Sequence, residues 1–173
     1  MTLYLVRHGE AVERTDGIDD EVRWLTAKGR KGMTKAAGRL RKRRVRPDLL
    51  ISSPLTRAVQ TAELLAADVA RRGDLRADAA LSPGGNVEQV LALIRGQNRI
   101  DALMLVGHEP LLSRVAAELL GRPRVNALAK GSCLALELSA KSGKPARVLW
   151  YAVPGSKFSP TAKKLLDPAP AAA

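Results

Sequence analysis

The sequence predicts an α/β fold, with a mostly parallel sheet, helices on both faces and an antiparallel element at one edge. Three short apolar segments, at residues 3–6, 48–53 and 103–106, are each followed by a segment with helical signals. Two more β-prone segments, at residues 132–139 and 146–153, come near the end of the chain. Strands that alternate with helices favour a parallel sheet that is covered on both faces.

The first helix is predicted from a cap and an apolar stripe. Thr26 is a suitable N-cap because its hydroxyl can accept a hydrogen bond from an amide of the first turn. Apolar residues then recur at helical spacing, at positions 33, 36, 37 and 40. Residues 28–46 hold ten basic and no acidic residues, so we expect the remaining faces of this helix to be cationic.

Prolines mark the start of two further helices. Pro54 opens a second helix, whose apolar face continues to about Arg72. Pro110 opens a fourth helix, which Gly121 closes.

The region between these helices contains a third helix and a short strand. Asn86 and Gln89 form a capping box at the start of the third helix. We expect a strand within residues 75–81. The Lys-Ser-Gly-Lys-Pro segment at residues 141–145 is predicted to be the turn of a hairpin formed by the last two strands.

Length and composition suggest one domain at residues 1–153, followed by a loosely held tail rich in Pro, Ala and Lys at residues 154–173. The single cysteine, Cys133, cannot form an internal disulfide and fits a reducing compartment. The first apolar run is too short for a signal peptide, and no segment approaches the ~20 apolar residues of a membrane-spanning helix. We therefore expect a cytoplasmic protein that does not bind membranes.

The chain is strongly basic, with 29 Lys and Arg against 17 Asp and Glu and a net charge of +12. Residues 39–46 contain six basic residues, so a nucleic-acid-binding domain is an alternative function. Nucleic acid is the less favoured partner, because no aromatic residues are interleaved with these charges to stack on bases. The same charges could instead steer an acidic protein towards a cleft.

Polar residues follow three of the predicted strands. Arg7 and His8 follow the first strand, a segment with Arg57 follows the second, and His108 follows the third. His8 and His108 are the only two histidines of the chain. Ligands of such sheets bind beyond the carboxyl ends of the strands, so we expect these four side chains to meet there.

Two arginines beside two imidazoles predict phosphoryl transfer. The guanidinium groups of Arg7 and Arg57 match the oxygens of a phosphoryl group, and amides at a helix start would add to their effect. Imidazole is largely unprotonated at neutral pH and can act as a covalent nucleophile. We expect His8 to attack phosphorus, His108 to donate a hydrogen bond to a phosphoryl oxygen, and water to hydrolyse the resulting phosphohistidine.

Gly9, Glu10 and Ser132 are further candidates for substrate binding. Gly9 has no Cβ, which lets the backbone approach a bound group. Glu10 and Glu109 are expected to balance local positive charge or to orient the imidazoles. Ser132 either lends its hydroxyl to the phosphate or begins a strand.

A zinc hydrolase is the rival enzyme class. His8, His108 and a glutamate could hold a zinc ion and leave one coordination position open. Two arginines in the same cleft would repel the cation, so we expect no metal and no other cofactor.

Three segments resemble the motifs of the histidine phosphatase superfamily: LVRHGE at 5–10, SSPLTRAVQTA at 52–62 and LMLVGHEPLL at 103–112. From residue 3 to about residue 138, the chain resembles the compact SixA-type phosphohistidine phosphatases of that family, and Lys-Gly-Ser at 130–132 is similar to a late segment of them. The resemblance implies a phosphoglycerate-mutase-like core without a metal, in which His8 is the nucleophile and Arg7, Arg57 and His108 assist it.

Larger members of the family resemble this core but carry an insertion after the second helix, with a glutamate that donates a proton. Here residues 83–86 offer no carboxylate, and we expect Glu88 to face outwards from the third helix. A missing donor hinders the departure of an alkoxide far more than that of an imidazole. We therefore predict a protein phosphohistidine phosphatase, with a small-molecule phosphomonoesterase of the same family as the alternative.

Overall fold

The computed structural model describes residues 1–15, 17–70, 75–97, 99–139 and 144–167. In these residues the strands are β1 (Thr2–Arg7), β2 (Leu49–Ser52), β3 (Leu75–Ala77), β4 (Ala102–Gly107), β5 (Cys133–Glu137) and β6 (Arg147–Ala152). The helices are α1 (Ala27–Lys42), α2 (Thr56–Val69), α3 (Val87–Arg95), α4 (Leu111–Leu119) and α5 (Lys163–Leu166).

The strands form one sheet in the order β3-β2-β4-β1-β5-β6. β1, β2, β3 and β4 run parallel to one another, with Arg7 opposite Gly107 and Ser52 opposite Val106. β5 is antiparallel to β1, and β6 is antiparallel to β5. This arrangement confirms the predicted α/β class, including the antiparallel edge.

Helices cover both faces of the sheet, each with its own apolar core. In β1, Leu3 and Leu5 belong to the core under α3 and α4, whereas Tyr4 and Val6 belong to the core under α1 and α2. Because successive side chains of a strand point to opposite faces, one apolar strand serves both cores. Each fully buried leucine contributes about 1.5–3 kcal/mol. In the described residues, no helix has the length and apolar character needed to cross a bilayer.

The predicted helix signals correspond to observed caps. The hydroxyl of Thr26 accepts a hydrogen bond of 2.9 Å from the Gly29 amide at the start of α1. The side chain of Asn86 caps α3 as expected, but it accepts a 2.8 Å bond from the Glu88 amide and not from the Gln89 amide that a capping box would use. Gly121, with φ of 61°, follows the end of α4 in the left-handed conformation that glycine adopts readily.

Several boundaries differ from the prediction. α2 begins at Thr56, two residues after Pro54, because Leu55 has an extended backbone and acts as the N-cap. The helix ends at Val69, and the predicted end near Arg72 lies outside the described residues. Residues 141–143 of the predicted hairpin turn also lie outside them.

The short strand predicted within residues 75–81 is observed, whereas the final segment is more tightly held than expected. β3 covers Leu75–Ala77, and a 3₁₀ turn follows at Ala79–Leu81. The described part of the segment after β6, residues 153–167, packs on the rest of the chain, contrary to the expected loose tail. Its Leu165 is only 1% exposed and belongs to the core under α3 and α4. The side-chain amide of Asn126 donates to the carbonyl of Lys164 at 2.9 Å. The domain division at residue 153 stays a prediction.

Candidate active site

The parallel register brings the segments after β1, β2 and β4 to the same edge of the sheet. The amide of His8 donates to the carbonyl of Gly107 at 3.1 Å, and the amide of Ser53 donates to the carbonyl of Val106 at 2.9 Å. The imidazole rings of His8 and His108 therefore lie side by side, with centroids 5.0 Å apart and planes inclined by 54°.

The hydrogen bonding of His8 leaves one ring nitrogen free to react. Its Nδ1 lies 2.7 Å from the carbonyl oxygen of Gly9. A carbonyl only accepts, so Nδ1 carries the proton and Nε2 of the neutral ring keeps its lone pair. Burial lowers the pKa of His8 to about 4, assisted by the charges of Arg57, Arg7 and Lys130 and opposed by the Gly9 hydrogen bond. His8 is therefore neutral at pH 7 and needs no base to expose a nucleophilic nitrogen.

His108 is also neutral and is oriented by Ser53. Its Nε2 lies 2.8 Å from the hydroxyl oxygen of Ser53, which itself accepts a 3.3 Å bond from the Leu55 amide. The pKa of His108 is lowered to about 3, chiefly by burial and also by the neighbouring His8 and by the charge of Arg57. When the Ser53 hydroxyl donates to Nε2, the proton of His108 is on Nδ1, where it can be donated to a ligand.

Arg7 is held through a loop that Glu109 fixes. Nη1 of Arg7 donates to the carbonyl of Leu128 at 2.7 Å, and the Leu128 amide donates to Oε1 of Glu109 at 2.9 Å. The second carboxylate oxygen of Glu109 accepts a 2.5 Å bond from the Ser113 hydroxyl. Glu109 therefore positions the backbone that positions Arg7, a role different from the imidazole contact or charge balance expected from the sequence.

Arg57 lies in the first turn of α2, where it is paired with a carboxylate that the sequence analysis did not single out. Its Nη2 donates to Oδ2 of Asp20 at 2.9 Å and its Nη1 to the Asp20 carbonyl at 2.5 Å. Asp20 belongs to the β1–α1 loop, which we define as residues 8–26. Hydrogen bonds from Arg14 and Arg57 keep the pKa of Asp20 well below its ordinary range. The only sequence signal was an acidic residue in the loop that follows His8, since the pairing spans 37 residues.

Four buried nitrogens of this region have no hydrogen-bond partner. They are Nε of Arg7, Nε of Arg23, Nε of Arg57 and Nδ1 of His108. In the described chain, no other buried side-chain nitrogen or oxygen lacks a hydrogen-bond partner. Nε of Arg23 lies 3.3 Å from Asp20 without hydrogen-bond geometry. An unsatisfied buried polar group costs about 1–3 kcal/mol. Three of them belong to Arg7, Arg57 and His108, which lie close to His8, and this grouping is typical of a site that binds an anion.

The other predicted substrate-binding residues have partners within the protein. The amide of Gly9 donates to the Thr61 hydroxyl at 3.1 Å, and an added Cβ would lie 2.8 Å from the side chain of Met33. The small size of Gly9 thus serves contact with α1, whereas the sequence suggested approach to a bound group. The carboxylate of Glu10 binds Lys28 at 2.9 Å and Thr26 at 3.1 Å.

Ser132 is fully buried beside β1. Its hydroxyl oxygen accepts a 3.0 Å bond from the hydroxyl of Tyr151, and its carbonyl accepts a 3.2 Å bond from the Arg7 amide. The structure therefore brings Arg7, His8, Arg57 and His108 together as expected, with Ser132 supporting the main chain behind them.

The ligands required by the zinc alternative are not assembled around the two histidines. In the part of the chain that the structure describes, no three His, Cys, Asp or Glu side chains are grouped so that they could hold a metal ion. Glu10 and Glu109 are bound as described above. Glu88 faces outwards from α3 as expected, and its carboxylate lies 3.9 Å from Arg95.

Part of the basic segment at residues 39–46 makes contacts within the protein. The guanidinium of Arg39 lies 5.0 Å from the ring centroid of Phe158, and that of Arg43 lies 4.3 Å from the same ring and 5.8 Å from that of Trp150. Such stacking stabilises the packing of Trp150 and Phe158 against the end of α1. These two arginines are therefore not simply a free cationic surface.

Comparison with known proteins gives one family and one sequence relative. The family model of the histidine phosphatase superfamily (branch 1) matches residues 3–82. An uncharacterized protein of Picosynechococcus sp. is 41% identical over 119 residues, which cover 67% of this chain and 71% of that protein.

Solved structures share the fold over most of the chain. The protein histidine phosphatase SixA complexed with tungstate has a TM-score of 0.79 and 23% identity, over 89% of this chain and 97% of that one. The mycobacterial glucosyl-3-phosphoglycerate phosphatase complexed with VO3 has a TM-score of 0.65 and 22% identity, over 85% and 96%. These similarities show a phosphoglycerate-mutase-like fold, as the resemblance implied.

Proposed function

This chain belongs to the histidine phosphatase superfamily, and from that premise we propose that it removes the phosphoryl group from a phosphohistidine of another protein, through a phosphorylated His8. The main support is the group of buried, unpartnered nitrogens beside the neutral imidazole of His8. These donors match an oxyanion, and Nε2 of His8 is the available nucleophile.

In the proposed mechanism, the guanidinium groups of Arg7 and Arg57 bind the phosphoryl oxygens, and Nδ1 of His108 donates to one of them. The lone pair of His8 Nε2 attacks phosphorus, and a P–N bond to His8 forms as the P–N bond of the substrate breaks. A substrate imidazole that is protonated on its other nitrogen leaves as the neutral ring. Water then attacks phosphorus, which releases inorganic phosphate and restores the lone pair of Nε2.

The carboxylates near the site favour a phosphoramidate substrate over an alkyl phosphate. Asp20 is the carboxylate paired with Arg57, and its low pKa keeps it ionised at neutral pH, so it is a poor proton donor. Glu88 is exposed and lies near Arg95. An alkoxide needs a proton in order to leave, whereas an imidazole protonated on its other nitrogen does not.

A small-molecule phosphomonoesterase remains the second candidate, because the mycobacterial glucosyl-3-phosphoglycerate phosphatase shares this fold. The two candidates differ in the leaving group. We expect kcat/KM to be higher for a phosphohistidine peptide than for a sugar phosphate of equal charge. The reverse order would favour the second candidate.

The intermediate can be tested with a peptide that carries ³²P-labelled phosphohistidine. We expect the wild-type protein, quenched rapidly in base, to carry a label that is stable to alkali and lost in acid. The His8→Ala variant should acquire no label and show no turnover, whereas the Glu88→Gln control should behave like the wild type. Normal turnover by His8→Ala would refute the mechanism.

A further inference from the structure

Two large apolar side chains are exposed on the β1–α1 loop. Val22 is 53% and Trp24 is 46% exposed, and they are the exposed large hydrophobic residues of the described chain. Single exposed apolar residues are ordinary on protein surfaces. Here the two occur within three residues of sequence, and tryptophan is among the residues that contribute most to protein interfaces.

The loop holds these side chains at the edge of the candidate active site. Asp20, two residues before Val22, is bound to Arg57. Leu25, the residue after Trp24, packs beside Gly9, where an added Cβ would lie 3.3 Å from Leu25 Cδ2. Both ends of the apolar stretch are therefore attached close to the proposed nucleophile.

The first turns of α1 carry exposed cations, and one residue of these turns contacts the chain close to the candidate active site. An added Cβ on Gly29 would lie 2.0 Å from the carbonyl oxygen of Glu10, so this turn contacts the chain two residues after His8. Arg30 and Lys31 follow Gly29 and are exposed. Within the described residues, neither has an ion-pair partner.

Acidic residues on the β1–α1 loop favour a protein over a membrane as the binding partner. Asp19 and Glu21 are exposed and adjacent to Asp20 and Val22. Anionic lipid head groups would be repelled by these carboxylates. A protein or peptide partner can place an apolar side chain against Trp24 and keep its acidic side chains away from Asp19 and Glu21. A surface with apolar, acidic and basic residues therefore fits a protein partner.

We propose that Val22, Trp24, Arg30 and Lys31 form a docking surface for the phosphoprotein substrate. This inference rests on the proposed function. The substrate presents an apolar side chain to Trp24 and carboxylates to Arg30 and Lys31, next to the phosphohistidine that enters the site. Trp24 supplies the apolar anchor, and the two cations favour acidic substrates and accelerate their association.

Three phosphohistidine substrates test the proposal. Two are synthetic peptides of equal length, one with leucine and acidic residues around the phosphohistidine and the other with serine and lysine, and the third is free phosphohistidine. We expect wild-type kcat/KM to be about tenfold higher for the acidic peptide than for the basic one. The preference should weaken as salt concentration rises.

Substitutions in the docking surface should change selection of the peptides without changing the chemistry. We expect Trp24→Ser combined with Arg30→Glu and Lys31→Glu to abolish the preference, and kcat/KM for free phosphohistidine to stay unchanged. Lys42→Glu with Arg46→Glu is the matched control. It makes the same change of charge, and Lys42 lies roughly 18 Å along the helix from Arg30.

The possible outcomes separate the two proposals. Equal wild-type rates on both peptides, or an equal loss on peptides and free phosphohistidine, would overturn the docking surface and leave the proposed function standing. Failure of the wild type on all three substrates would overturn both. Binding to phosphatidylglycerol vesicles that depends on Trp24, without any peptide preference, would assign this surface to a membrane and overturn the docking inference.

Discussion

Oδ2 of Asp20 lies 2.9 Å from Nη2 of Arg57, so a carboxylate of the protein itself contacts a guanidinium that we propose binds the substrate phosphate. The main-chain carbonyl of Asp20 contacts the other terminal nitrogen of the same group. Asp20 therefore orients Arg57 and also offsets its charge. The charge of the β1–α1 loop should set how tightly the site holds an oxyanion.

Replacement of Asp20 by asparagine tests this relationship. We expect Asp20→Asn to bind tungstate more tightly by ~1 kcal/mol, or about fivefold, because the amide oxygen can still accept from Arg57 while the competing negative charge is lost. Isothermal titration calorimetry gives the dissociation constant. Asp19→Asn is the control, since it removes the same charge from an exposed neighbour. Equal or weaker binding by Asp20→Asn would contradict the expected competition.

The depressed pKa of His8 predicts how stability depends on pH. Because the pKa is about 4 in the folded protein and 6.5 ordinarily, the unfolded chain binds more protons between these values. The free energy of unfolding should therefore fall as pH is lowered from 6.5 to 4, by at most about 1.4 kcal/mol per pH unit from this residue. Urea unfolding at several pH values measures the slope. His8→Gln should have a smaller slope, and an unchanged slope would show that burial does not depress the pKa of His8.

The sequence was sufficient to predict the fold and the four residues that the structure brings together. Strand and helix periodicities are local, and the rule that ligands bind beyond the carboxyl ends of parallel strands needs only their order. This is why Arg7, His8, Arg57 and His108 could be expected to meet although they are distant in the chain.

The hydrogen-bond partners of these residues could not be predicted, because the partners lie in loops, whose sequences have no helix or strand periodicity. The contact of Asp20 with Arg57 and the bond between Glu109 and the Leu128 amide span 37 and 19 residues. Residues 154–173 were expected to be loosely held because they are rich in Pro, Ala and Lys, a composition that does not reveal the burial of Leu165. Tertiary packing decides each of these contacts.

Removal of the Glu109 carboxylate should weaken catalysis indirectly. We expect Glu109→Ala to lower kcat/KM for free phosphohistidine by about tenfold or more. The Leu128 amide then loses its bond to Glu109, and the Leu128 carbonyl is no longer aligned with Arg7. Steady-state kinetics measures the loss. Glu118→Ala removes an exposed carboxylate from α4, the helix that follows Glu109, and should have no effect. If the two variants have equal activity, Glu109 is not needed to hold the Leu128 carbonyl against Arg7.

Two glycines of α1 provide a final test of how tightly the helix contacts the chain after His8. Gly29→Ala should lower the free energy of unfolding by about 1–3 kcal/mol or more, because the added Cβ would lie 2.0 Å from the backbone oxygen of Glu10, which cannot move alone. Gly32 has no neighbour within 4 Å of an added Cβ. Gly32→Ala should therefore raise stability by about 0.5–1 kcal/mol through helix propensity. Urea unfolding compares the two variants, and equal stability would mean that the contact between Gly29 and Glu10 of the β1–α1 loop is not a tight one.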